Sequence, residues 1–261
     1  MRRATGTLAL LPYVMSGHLA IPTAEIAAAL VDAGGDGLEI GVPFSDPMAD
    51  GPTVQRANQA ALVRGMTPRL AISELAAVRQ RVDVPLALMG YLNPIVRWGA
   101  DEYCRAAWDA GGDALIVPDL PLEESGELRD ACGRHGLDLI PFVAPTTTPQ
   151  RLRAIGRRAQ GFVYCVAVTG VTGARGDLAP DLQDLLARLR AVTTTPIVVG
   201  FGVSRPEHVA WLVGRADGAI TASALIDRME SAADPLVAAH DYVAGLRRAA
   251  DAASQARSKG S

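Results

Sequence analysis

Glu39 stands inside an apolar run, Leu38-Glu39-Ile40-Gly41-Val42, and two more carboxylates follow it in Pro43-Phe44-Ser45-Asp46-Pro47-Met48-Ala49-Asp50-Gly51-Pro52. In a strand shielded on both faces, an ionised carboxylate is costly unless it is paired or its pKa rises. Glu39 is therefore either a proton carrier or one half of a buried ion pair. Asp50 also has two readings, a second catalytic carboxylate or the cap of a helix entered through Gly51-Pro52-Thr53. A different chemistry is suggested by Gly170-Val171-Thr172-Gly173, Gly200-Phe201-Gly202-Val203-Ser204 and Ala222-Ser223. Small residues let backbone N–H groups approach a ligand, and Ala222-Ser223 opens a short helix, Ala224 to Arg228, whose amino end carries partial positive charge. Each glycine pair alone is an ordinary turn, whereas three at successive strand ends suit a phosphate.

Composition removes several mechanisms. Of the 25 basic residues only Lys259 is a lysine, and it lies in a polar terminal stretch, so no pocket lysine exists to form a Schiff base. His18, His135, His208 and His240 are far apart, and no HxH or HExxH spacing seeds a zinc site. Catalysis is expected to run on carboxylates, without cofactor or metal. A net charge of -3 and the lack of any Lys/Arg-rich run give no field for nucleic acid. No apolar run is long enough to cross a bilayer, and the basic start Met1-Arg2-Arg3-Ala4-Thr5-Gly6-Thr7 is followed by too short an apolar part for a signal peptide. Cys104, Cys132 and Cys165 are scattered, as expected of reduced, core-filling thiols in a cytoplasmic protein.

The elements that must position these residues follow a strand, loop, helix cycle. Strand-like runs occur at Leu8 to Met15, Leu38 to Val42, Val84 to Gly90, Ala114 to Val117, Leu137 to Val143, Gly161 to Val166, Pro196 to Gly200 and Gly218 to Thr221. Helical patterns fill the gaps, with Thr23 as the expected cap of the first, Leu122 to His135 in the middle and Asp234 to Ala249 as the last. The cleanest follows Pro180, where Leu182, Leu185, Leu186 and Leu189 form one stripe. Asp32-Ala33-Gly34-Gly35-Asp36-Gly37-Leu38 echoes Asp109-Ala110-Gly111-Gly112-Asp113-Ala114-Leu115, and Gly214-Arg215-Ala216-Asp217-Gly218 is a weaker third copy. Eight strands and repeated βα units predict an α/β fold, a (β/α)8 TIM barrel in a single domain over 1–250, with 251–261 as a flexible polar tail. In such a barrel the loops after the strands form the active face. Glu39 then points into the mouth, while Tyr91, Asn93 and Asp119 either line it or shape its turns.

The block Leu38 to Gln55, with Asn93-Pro94, Pro118-Asp119-Leu120-Pro121, Gly170-Val171-Thr172-Gly173-Ala174 and Gly200-Phe201-Gly202, resembles the tryptophan synthase alpha subunit family over nearly the whole chain. The resemblance implies a lyase that cleaves indole-3-glycerol phosphate to indole and glyceraldehyde 3-phosphate. It also implies a beta subunit as partner, in an alpha2beta2 heterotetramer. By motif, Glu39 would be the acid/base and Asp50 the group holding the indole N–H. Tyr13, Met89 and Tyr164 would border the indole, and Thr172, Gly173, Phe201, Gly202, Ala222 and Ser223 would complete the substrate site around the phosphate. Phe44 to Asp50 and Gly170 to Asp177 would close over substrate, with Phe44 and Met48 as exposed apolar residues for the partner. Departures from the family pattern are Ala222 for glycine, His18 after Gly17 for aspartate, Ala167 for serine, and a short segment before the first strand. A stand-alone lyase, a binding module without turnover, and a sugar-phosphate isomerase on the same fold are the competing readings.

Overall fold

Near-continuous apolar strands need cover on both faces, which a parallel sheet ringed by helices supplies. The computed structural model describes residues 7–166, 181–200 and 202–259. Its strands are β1 (Ala9–Met15), β2 (Leu38–Gly41), β3 (Leu86–Met89), β4 (Ala114–Ile116), β5 (Asp138–Ile140), β6 (Phe142–Val143), β7 (Val163–Val166), β8 (Ile197–Gly200) and β9 (Gly218–Thr221). The helices are α1 (Thr23–Asp32), α2 (Pro52–Val63), α3 (Pro68–Arg79), α4 (Leu92–Trp98), α5 (Ala100–Asp109), α6 (Gly126–His135), α7 (Pro149–Arg158), α8 (Leu182–Arg190), α9 (Pro206–Leu212), α10 (Ser223–Ser231) and α11 (Pro235–Lys259). Among the described residues, no helix is long and apolar enough to cross a membrane.

The strands are parallel and run in the order β5-β4-β3-β2-β1-β9-β8-β7-β6, a nearly closed TIM barrel. The expected fifth strand is divided at Pro141, which has no N–H to give to a ladder. Its first half pairs with β4 and its second with β7, while the Pro141 carbonyl accepts from Tyr164 N–H at 2.9 Å. Alternate side chains separate two cores. Leu11, Tyr13, Met15, Ala87, Met89, Ala114, Ile116, Ile140, Tyr164, Val198 and Ile220 fill the barrel, whereas Leu10, Val14, Leu38, Ile40, Leu88, Leu115 and Val199 pack against the helices.

The sequence echo becomes a repeated clasp at the amino ends of the strands. Asp36 N–H donates to the Leu10 carbonyl (2.8 Å), and the Asp36 carboxylate accepts Leu10 N–H (2.9 Å). Asp113 does the same to Leu86, and Asp217 to Ile197, all at 2.8 Å. Arg247, Arg79 and Arg190 pair with the three carboxylates in turn.

Several boundaries differ from expectation. Thr23 is the first residue of α1 rather than its cap; Pro22 takes that place, and Thr23 N–H donates to Glu74 (3.1 Å). Helix α6 starts at Gly126 instead of Leu122, because Pro121 to Ser125 is tied into a turn by Glu124 N–H to Pro121 O (3.0 Å) and Ser125 Oγ to Leu122 O (2.7 Å). The last helix does not stop at Ala249, and 251–259, expected as tail, are helical. Neither Gly nor Pro interrupts Leu246 to Lys259, Ala250 is buried, and Asp251 pairs with Arg247 one turn back.

Candidate active site

Strand parity decides where Glu39 points. Its register places it beside Tyr13 of β1 and Ala87 of β3, so the carboxylate shares the barrel interior with them, and the small Ala87 leaves room at its flank. Glu39 is 3% exposed, and among the described residues its Oε2 has no hydrogen-bond partner and no cation pairs with it. Burial first, and the charge of Asp50 second, push its carboxyl up to about 8.

Asp50 is not a helix cap, since Gly51 occupies that position with no side-chain bond. Its carboxylate turns inward, 9% exposed, and accepts from Asn58 Nδ2 (3.3 Å) and the Tyr91 hydroxyl. Burial outweighs those two donors and raises it to about 6. Both carboxyls are raised, Glu39 further than Asp50, so of the two Glu39 holds its proton to higher pH.

The loop between them is fixed at its ends. Phe44 N–H donates to Asn58 Oδ1 (2.9 Å), Ala49 N–H to the Tyr91 hydroxyl (3.1 Å), and Gln55 Nε2 to the Asp50 carbonyl (2.8 Å). Phe44 was expected to be exposed, but it stacks on Tyr91 with ring centres 5.2 Å apart and is half-buried. Met48, at 81% exposure, does face solvent.

Tyr13, Met89 and Tyr164 all lie in the interior layer. A β-carbon on Gly41 would collide with the Tyr13 hydroxyl, and one on Gly200 with that of Tyr164, so glycine at both places lets the rings lie flat over the neighbouring strand. Tyr164 stacks on Phe142 at 4.7 Å. Burial, reinforced by the charges of Glu39 and Asp50, keeps both phenols protonated.

Gly202, at φ 102°, follows β8, and Ala222-Ser223 joins β9 to α10, whose amino end no side chain caps. Since β8 pairs with β9, these turns are neighbours at the carboxyl ends of the strands. Ala222 has φ -126°, so nothing in its backbone calls for glycine. Thr172, Gly173 and Phe201 lie outside the described residues, as do Ala167, the Gly170 to Asp177 loop and the segment before Thr7. Asp119 accepts Leu92 N–H at 2.9 Å and so fixes the start of α4, where Asn93 is exposed. His18 is buried with Nδ1 3.2 Å from the Met15 carbonyl.

Asn58 is the site residue that sequence reasoning missed. Its signal was available: Val54, Ala57, Asn58 and Ala61 form the buried stripe of α2 at i, i+3, i+4 and i+7, and an amide on such a stripe needs a partner.

Comparison with known proteins identifies the family. The family described as tryptophan synthase alpha chain matches residues 1–254. The tryptophan synthase alpha chain of Chloroflexus aurantiacus is 52% identical over 230 residues, covering 87% of this chain and 86% of the relative. That of a Roseiflexus species is 49% identical over 249 residues, covering 94% and 95%. Among solved structures, Mycobacterium tuberculosis tryptophan synthase superposes with a TM-score of 0.87 at 36% identity, over 95% of this chain and 94% of the other. The subunit alpha of Legionella pneumophila gives 0.84 at 34% identity, over 94% and 93%. With the same barrel and half its residues shared along most of its length, the chain belongs to the tryptophan synthase alpha chain family.

Proposed function

We propose that Glu39 and Asp50 cleave indole-3-glycerol phosphate to indole and glyceraldehyde 3-phosphate, the lyase reaction of this family in tryptophan biosynthesis. The carrying observation is the Glu39 carboxyl, buried in the mouth, raised to about 8 and, among the described residues, free of a hydrogen bond at Oε2. Held protonated, it delivers its proton to the ring carbon that bears the side chain. Asp50, ionised, accepts the indole N–H and offsets the positive charge that appears on the ring. The resulting Glu39 carboxylate then takes the proton of the side-chain hydroxyl. The carbon–carbon bond breaks, its electron pair returns to the ring, and indole and the aldehyde leave with Glu39 protonated again. The ring itself is the electron sink, so the reaction needs no Schiff base.

Tyr13, Met89 and Tyr164 form the slot for the indole. Gly202, Ala222 and Ser223, with Thr172, Gly173 and Phe201, receive the phosphate, helped by the amino end of α10. The loop Phe44 to Asp50 excludes water once substrate is in. The barrel over 1–250 is the catalytic unit and works in the cytoplasm, in keeping with three free thiols. A beta subunit in an alpha2beta2 heterotetramer receives the indole, and exposed Met48 on that loop supports such a contact. The test is to supply indole-3-glycerol phosphate and follow indole release with and without a beta subunit. Release that rises on adding the subunit is expected. No release in either arm overturns the reading, and full release unaffected by the subunit replaces it with a stand-alone lyase.

A further inference from the structure

Away from the mouth, α5 and α6 pack side by side on the outside of the barrel and bring two sulfurs together. Cys104 Sγ and Cys132 Sγ are 3.7 Å apart, both free and fully buried. The contact is held in register from the neighbouring turns: Arg134 Nε of α6 donates to Asp101 of α5 (2.9 Å), and His135 Nε2 lies 3.1 Å from the same oxygen. Helix α6 has glycine at 126 and 133, and a β-carbon at either would meet nothing within 4 Å. Such a short, glycine-containing surface helix opens locally more readily than the strands beneath it. The hydrogen bond shared with Cys132 holds the Cys104 thiol below the usual range, whereas burial pushes Cys165 of β7 up to about 12.

We propose that Cys104 and Cys132 are a redox pair that a hydroperoxide converts to a disulfide, clasping α5 to α6. The Cys104 thiolate attacks the peroxide oxygen, the O–O bond breaks, and a sulfenic acid forms as water or an alcohol leaves. The Cys132 thiol, which the shared hydrogen bond and burial keep protonated, attacks that sulfur; the S–S bond forms, and the thiol proton leaves with the hydroxyl group as water. Two thiols are oxidised by two electrons, the peroxide is reduced by two, and a thiol reductant reverses the change. Because the bond closes a loop spanning 28 residues in sequence, the oxidised chain should resist unfolding more than the reduced one.

The experiment treats the folded protein with one equivalent of hydrogen peroxide, quenches, then unfolds and alkylates it. A parallel arm oxidises the urea-unfolded chain. Expected for the folded arm are a mass lower by two hydrogens, one alkylated cysteine in place of three, and a single cross-linked tryptic pair. That pair joins Trp98–Arg105 to Asp130–Arg134, and a thiol reductant separates it. The unfolded arm should yield pairings that include Cys165. A Cys165→Ser variant should keep the cross-link and Cys104→Ser should lose it, with circular dichroism confirming both folds. Three alkylated cysteines from the folded arm, or the same mixture of pairings in both arms, would overturn the proposal.

Discussion

The two ends of the barrel treat carboxylates in opposite ways. At the amino ends of the strands Asp36, Asp113 and Asp217 each accept a backbone N–H and face an arginine, so their charge is compensated and holds adjacent strands together. At the mouth, among the described residues, Glu39 faces no cation and Asp50 has only neutral donors, and both are raised above the usual carboxylate range. The same functional group is compensated in one setting and left without compensation in the other, and under the proposed function the second setting is the one that holds it ready for proton transfer.

Substitutions can break this contrast. The largest effect is expected from Glu39→Gln, which keeps the shape and removes the proton. Indole release should fall by about 10²–10⁴-fold with the circular dichroism spectrum unchanged; turnover near wild type would end the assignment. Asp50→Asn keeps the hydrogen bonds but not the charge, and a loss of about 10²-fold in kcat is expected from the same assay. Asn58→Ala leaves Asp50 and Phe44 N–H each short of a partner, and should cost about 1–3 kcal/mol in urea titration along with a lower kcat.

A fourth prediction separates the two ends by pH. The folded-state pKa of Glu39, about 8, lies above its ordinary value of 4.5. The folded chain therefore binds more protons than the unfolded one between those values, and the stability from a protonated Glu39 is present in full at low pH and lost as pH rises through 8. Asp50 acts in the same direction from 3.8 to about 6. Urea midpoints should fall across this window in the wild type and fall less in Glu39→Gln; identical pH profiles would mean that the carboxyl is not dry. The smallest effect is expected from Asp113→Ala, which should lower stability by about 1–2 kcal/mol while leaving kcat per folded molecule unchanged.

Much of this contrast was legible in the chain. Glu39 announced itself because a charge inside an apolar run has few uses, and the echoed Asp-containing turns pointed to repeated βα units, though not to the clasps that their carboxylates make. The role of Asp50 was not legible, because the choice between cap and site is made by Tyr91, which arrives from the next βα unit, and by Asn58, whose stripe reads as ordinary core. Pro141 lies in a run that looks like one strand, and only the separate pairing of its two halves with β4 and β7 shows the break. The end of α11 was underestimated because polar composition suggested tail, while Ala250 buried on the barrel continued the helix.

Two hydrogen atoms, standing where Gly41 and Gly200 could have borne methyl groups, let the phenols of Tyr13 and Tyr164 lie against the neighbouring strands. Any heavier residue at either position must displace a phenol. Under the proposed function, the width available to a flat bicyclic guest would then be set by the sheet itself as well as by the loops.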